Sequence, residues 1–237
     1  MRCFKVLLAL VALNIFFSDP ILAAEKNGSS AEHPWKLRVE RNGVKVYNRD
    51  VEGSPIREFM GRCVVDAGLY TVGMLMLDFP TYPEWVASCK DLRSLTCRDA
   101  LNCDLYYVMD LPWPVSNRDV ILRANATVYP AENVIRVNCE AIPDDSRVPV
   151  PKGYVRLKAM YVKWILKELP DGKTDVTFLS WSEPGGLITP FIANMATTDF
   201  PFKSLVNLTK MVKLPRYVEA ARGMNGQNYR QRMKLGL

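Results

Sequence analysis

The sequence predicts an α+β fold: a curved antiparallel sheet around one long C-terminal helix, with an apolar space between them. Three observations predict it. Segments with alternating apolar and polar residues follow one another along most of the chain, separated by turn residues, as half-buried strands do. The longest run of helical spacing comes last, at about 190–213. The composition, 49% apolar and 24% charged over 237 residues, is that of a globular chain able to bury a core, not of a disordered or fibrous one. One helix must then cover the inner face of a broad sheet, and incomplete cover leaves a cavity suited to a greasy ligand.

The N-terminal 24 residues read as a secretory signal peptide. Arg2 and Lys5 precede the apolar run Val6 to Phe17, and Ala23-Ala24 supply a small-residue exit. The run falls short of the ~20 apolar residues that span a bilayer; an uncleaved anchor is the alternative. Residues 25–32 read as a linker. The stretch 33–41 is mixed, and a short helix anchored by Trp35 is expected there. Asn42-Gly43 is a turn signal. Strands are expected at 44–49 and 56–65. Leu69, Val72, Leu75, Met76 and Phe79 then recur at helical spacing, ended by Pro80, and a second short helix carries Tyr82, Trp85, Val86 and Cys89. Strands follow at 92–98, 104–110, 119–129 and 134–141. After a polar loop at 143–152, two more are expected at 153–166, with a bulge near Tyr161, and at 174–182. In the last helix Pro190 suits the first turn, Pro201 should kink it and Pro215 should stop it. Residues 33–222 form the expected domain, and 223–237 read as a flexible basic tail.

The cysteines narrow the chemistry. Five follow the leader: Cys63, Cys89, Cys97, Cys103 and Cys139. Cys97–Cys103 would be brought together by a hairpin, with reduced core cysteines the alternative. The spacing Cys89-x7-Cys97-x5-Cys103 matches no zinc pattern and His33 is the only histidine, so no metal site and no histidine-based dyad or triad is expected. No phosphate loop or glycine-rich nucleotide fingerprint occurs, and no cofactor is expected. From Asp199 onward eight basic residues face only Asp199 and Glu219. That basic stretch suits transient contact with an anionic membrane surface, or is a solvated helix face. No nucleic-acid motif accompanies it. Asn-x-Ser/Thr triplets at Asn27, Asn125 and Asn207 fall partly in structured elements, which fits an exported bacterial protein, periplasmic or extracellular, better than a glycosylated one.

Two sets of residues carry a family resemblance. Tyr82-Pro83-Glu84-Trp85-Val86 with Cys89-Lys90, and Asp110-Leu111-Pro112-Trp113-Pro114-Val115-Ser116-Asn117-Arg118-Asp119, resemble the START (StAR-related lipid-transfer) domains. Gly153 to Leu157, Trp164, Gly172-Lys173-Thr174, Ser182 to Ile188 and Asn194 to Leu208 follow in the expected order, so the likeness runs from about Trp35 to Tyr217. It implies a helix-grip fold that binds one apolar molecule per domain without catalysis, as a carrier and as an expected monomer. An enzyme of related fold, or an envelope interaction protein, is the alternative.

The resemblance also nominates a site. Arg118 corresponds to a cavity arginine that pairs with a buried acid, for which Asp99, Asp104 and Asp110 are available; a purely structural ion pair is the plainer reading. Tyr107 stands where phosphatidylcholine-binding members carry a cage tryptophan, yet Val120, Tyr82 and Val86 replace the rest of that cage. A less polar ligand is therefore expected, sterol-like, hopanoid-like or an acyl lipid. Alternation along the strands adds Met109, Val120 and Leu122 to the expected lining. Spacing along the last helix adds Phe191, Met195, Phe202 and Val206, although core packing gives the same pattern.

Overall fold

A computed structural model describes residues 33–144, 146–186 and 188–235. The segments read as leader and linker lie outside the described residues. The first elements are three consecutive strands, β1 (Lys36–Arg41), β2 (Val44–Val51) and β3 (Ser54–Val65). The expected helix at 33–41 is strand β1 instead. Asn42 and Gly43 both take positive φ, 52° and 71°, and this tight turn folds β1 back along β2. Residues of β1 are mostly exposed, so they offer no apolar stripe for a helix to bury.

Helix α1 (Leu69–Leu77) follows, then a 3₁₀ turn (Phe79–Thr81) and the short helix α2 (Tyr82–Trp85). The second half of the sheet is β4 (Cys89–Asp99), β5 (Asn102–Met109), β6 (Arg118–Tyr129), β7 (Val134–Ala141), β8 (Val155–Arg156), β9 (Met160–Glu168) and β10 (Thr174–Ser182). The chain ends in α3 (Pro190–Met211), α4 (Pro215–Ala220) and α5 (Gly226–Leu235). Strand order is β1-β2-β3-β10-β9-β7-β6-β5-β4, all antiparallel, with β8 pairing parallel to β6. The pairing of β3 with β10 joins the first strands to the last and makes one sheet of the chain. The hairpin of β4 and β5 brings Cys97 and Cys103 opposite each other, and they form a disulfide.

The sequence expectation of one bulged strand at 153–166 is replaced by two strands. Register between β9 and β10 is regular through Tyr161. Strand β8 instead takes the place beside β6 that β7 leaves after Ala141.

Helix α3 lies against β1, β2 and β3. Thr189 caps it by accepting from the Ile192 N–H, and Pro190 occupies its first turn. The helix runs unbroken through Pro201, which is buried against β3. Close approach depends on Gly61: a Cβ there would sit 2.6 Å from Leu205 Cδ1 and 3.3 Å from Pro201 Cβ. Leu205 and Leu208 are fully buried in the resulting contact. Asn207 donates to the Trp85 carbonyl, tying α3 to α2.

The tail read as flexible is helix α5. Tyr229 and Met233 lie four residues apart, hence on one face, and both are 2% exposed. Two glycines allow this docking. A Cβ on Gly73 of α1 would lie 2.6 Å from Tyr229 Oη, and one on Gly226 would lie 2.5 Å from Pro130 Cβ. The Met233 carbonyl accepts from the Ala100 N–H at the tip of the β4–β5 hairpin. Only two side chains anchor this segment, and a polar sequence with two isolated apolar residues shows little periodicity.

Replacing Gly61 by Val should force α3 off β3 and cost about 1–3 kcal/mol, read as a lowered urea midpoint at unchanged slope.

Candidate functional site: an apolar cavity under the sheet

Alternation along β5 and β6 builds the site. Cys103, Leu105 and Tyr107 of β5 and Leu122, Ala124 and Ala126 of β6 point to one side and line an inner cavity of about 100 Å³. Trp164 and Phe178 stack at 3.9 Å between ring centres on the neighbouring strands and form another wall. Helix α1 contributes Met76, and Tyr229 of α5 closes the cavity where the tail docks. An outer cavity of about 260 Å³ lies under the first half of α3, lined by Ile192, Ala193, Ala196 and Thr197 from the helix and by Met109 and Arg118 from the sheet. Met160, Ser180 and Phe200 border both cavities, so the two adjoin.

The structure brings together four of the nine residues nominated from sequence. Tyr107 and Leu122 border the inner cavity, Met109 and Arg118 the outer one. Val120 is wholly buried in the core and borders neither. The helix face was misassigned. Phe191 and Met195 are 74% and 62% exposed, while Phe202 is buried beneath the Arg41 guanidinium, 4.2 Å from its ring centre. Val206 packs on the core and also lies outside both linings. The cavity face is Ile192, Ala193, Ala196, Thr197 and Phe200. Its small residues make room rather than fill it, and a search for bulky apolar spacing passes over them.

Among the described residues Arg118 has no acid partner. Asp99, Asp104 and Asp110 are all engaged elsewhere, Asp104 with Arg123 and Arg147. Arg118 is 3% exposed and donates to three backbone carbonyls, those of Ser116, Pro184 (3.2 Å) and Gly185 (3.1 Å). Gly185 and Gly186 adopt φ of 58° and 60°, a left-handed turn that bulkier residues resist, and a Cβ on Gly186 would lie 3.2 Å from Val155 Cγ2. The Pro-Gly-Gly stretch before the last helix therefore serves to wrap carbonyls around the guanidinium. Burial lowers the pKa of Arg118 from its ordinary value.

The buried ion pair exists one residue on, on the opposite face of the sheet. Arg156 of β8 donates through Nε and Nη2 to the two carboxylate oxygens of Asp119, at 2.9 and 2.8 Å. Tyr106 Oη donates to the same carboxylate at 2.8 Å, and Arg156 also reaches the Val148 carbonyl. The two side chains are 5% and 0% exposed. With Tyr106, Val108 and Ile121 this network holds Ile142, Val148 and Tyr154 on the outer face. The signal was present in the sequence: neighbours in a strand face opposite ways, so Asp119 could not share a cavity with Arg118.

The inner cavity is apolar and neutral. Among the described residues no Asp, Glu, Lys, Arg or His borders it. Burial pushes the Cys139 thiol up to about 12 and holds the Tyr82 and Tyr107 phenols well above their usual value, so none ionises near neutrality. Tyr82 Oη donates to the Met76 carbonyl and Ser180 Oγ to the Tyr161 carbonyl. Among the described residues no cluster of His, Cys, Asp or Glu could hold a metal ion. The arrangement offers dispersion contacts and suits binding of an apolar molecule.

An antiparallel sheet packed on a long C-terminal helix over an internal apolar cavity defines the helix-grip class. Comparison narrows this. No family model matches the chain. A STAR-related lipid transfer protein from Xanthomonas axonopodis is 32% identical, with a TM-score of 0.69, over 76% of this chain and 99% of that one. An uncharacterised protein of Pseudomonas aeruginosa is 30% identical over 76% of this chain and 88% of its own length. Human STARD10 shares the fold at 18% identity, with a TM-score of 0.69 over 83% of this chain and 81% of that one. The chain belongs to the StAR-related lipid transfer (START) family.

Removing the acid of the outer-face pair, Asp119→Ala, should cost about 3–5 kcal/mol because it strands a buried guanidinium, measured by urea unfolding. Tyr229→Ala should open the inner cavity beneath α5, and stopped-flow entry of an apolar dye should be faster than in the wild type.

Proposed function

We propose that this protein binds a single hydrophobic molecule in the adjoining cavities and carries it within the cell envelope, without chemical conversion. The observation that carries the reading is the apolar inner cavity, whose described walls hold no Asp, Glu, Lys, Arg or His. A sterol-like, hopanoid-like or acyl lipid is the class in view. The lipid-transfer name of the Xanthomonas axonopodis relative supports transport as the outcome of binding.

Export fits the disulfide between Cys97 and Cys103, a bond that persists in oxidising compartments. Transient contact with a lipid surface fits two features. Trp113 is 93% exposed, and it adjoins in sequence Leu111, Pro112 and Val115 at the outer cavity. Arg230, Arg232 and Lys234 stand on the exposed side of α5. No described helix is long and apolar enough to cross a membrane.

Native mass spectrometry of protein exposed to bacterial envelope lipids tests the proposal. A stoichiometric lipid adduct is expected. Leu122→Trp, which fills the inner cavity, should abolish it while circular dichroism stays unchanged. A persistent apo mass after incubation with mixed envelope lipids would overturn the carrier reading.

A further inference from the structure

Helix α5 bridges two parts of the inner cavity's rim. On one side Tyr229 lies against α1: its ring centre is 5.1 Å from that of Tyr70, and Gly73, itself part of the cavity wall, leaves room for its hydroxyl. On the other side the Met233 carbonyl accepts from the Ala100 N–H at 3.0 Å. Ala100 and Leu101, at the tip of the β4–β5 hairpin, also border the cavity. Helix α1 itself packs mainly on β7, β9 and α4, and α5 spans from it to the hairpin tip. Neither α1 nor α5 lines the outer cavity. The attachments of α5 are few. It is ten residues long and buries only Tyr229 and Met233, and a helix of that length has little stability of its own in water. Its first-turn hydrogen bonds are local: Asn225 accepts from the Gln227 and Asn228 N–H groups, and Asn228 donates to the Gly223 carbonyl. The preceding α4 is held more firmly, since Tyr217 donates to the Asp78 carboxylate at 2.8 Å. The outward face of α5 carries Arg230, Arg232 and Lys234 and no acid, and among the described residues none of the three forms an ion pair.

We infer that α5 is a strap over a mouth of the inner cavity between α1 and the β4–β5 hairpin tip, and that an anionic phospholipid surface lifts it to let the ligand pass. This rests on the carrier reading above and adds the ligand's route and the surface that opens it. Lifting α5 gives up two buried side chains and one backbone hydrogen bond to the hairpin, and segments held by so little open locally without unfolding the rest. Anionic headgroups offset that loss, because each unpaired basic residue on the outward face gains attraction as it nears them. The opening left behind is rimmed by Gly73, Ala100 and Leu101 and leads directly into the apolar lining. The other route, by way of the outer cavity, passes Phe200, which packs on both Phe59 and Phe178. Moving the body of α3 would break the contact at Gly61, where Leu205 is wholly buried.

The test loads the full chain with Nile red and follows its transfer by stopped flow to vesicles of phosphatidylcholine alone or of equimolar phosphatidylcholine and phosphatidylglycerol. Transfer from the wild type should be about tenfold faster to the vesicles containing phosphatidylglycerol. The triple variant Arg230→Gln, Arg232→Gln, Lys234→Gln should lose that preference while binding Nile red as tightly as the wild type. Gly226→Ala places a Cβ 2.5 Å from Pro130 Cβ, away from the cavity wall, and by loosening α5 should speed transfer to phosphatidylcholine vesicles about fivefold. In this variant amide exchange should rise in the hairpin peptide that contains Ala100, with β3 and α3 as protected as in the wild type, which separates a lifted strap from a damaged fold. Gly61→Ala presses on Leu205 of α3 instead and should not speed transfer. Equal wild-type transfer to both vesicles, a preference kept by the triple variant, or transfer sped by Gly61→Ala and not by Gly226→Ala would each overturn the strap while leaving the carrier reading intact. No uptake of Nile red by the wild type, together with an apo mass in envelope lipids, would overturn both.

Discussion

A ten-stranded sheet presents more apolar inner face than one helix can cover, and this mismatch underlies the site. Helix α3 packs chiefly on β1, β2 and β3, where Gly61 lets Leu205 approach the backbone, and touches β10 through Phe200 against Phe178. It makes no comparable packing on β5, β6, β7 and β9. Short elements close the margins: α1 with Met76, α2 beside it, and α5 with Tyr229. What none of them fills is the cavity. Packing a protein interior normally leaves few voids, so an apolar space of this kind is a feature held open by the scaffold around it.

The polar groups are distributed so that the cavity stays neutral. Arg118 and Asp119 are adjacent in sequence yet sit on opposite faces of β6. Arg118 is hydrogen-bonded to backbone carbonyls, and Asp119 is bound by Arg156 and Tyr106 on the far side. Had Arg118 taken an acid partner inside, an ion pair would have occupied space meant for hydrocarbon. The carbonyl cradle requires the left-handed turn at Gly185-Gly186, which couples two sequence motifs more than sixty residues apart into one structural device.

The C-terminal helix α5 buries Tyr229 and Met233 against the rest of the fold, and Tyr229 borders the inner cavity, while the outward face of the helix remains basic and exposed.

By itself the sequence determined the α+β class, the positions of most strands, the long final helix and the Cys97–Cys103 hairpin, because period-two alternation, glycine turns and helix-start prolines act locally. It also placed Tyr107, Met109, Arg118 and Leu122 on one side of β5 and β6, the side that borders the two cavities. Tertiary structure decided the rest. Which face of α3 borders the cavity depends on how the helix docks at Gly61, and the docked face uses Ala193 and Ala196, residues too small to register in an apolar pattern. Whether 33–41 is a strand depends on the pairing partner β2 supplies, and whether 226–235 is ordered depends on grooves at Gly73 and Pro130 that no local signal announces. Arg118 found carbonyls instead of a carboxylate because the turn that offers them lies at the far end of the chain, brought near only when β10 and β3 close the sheet.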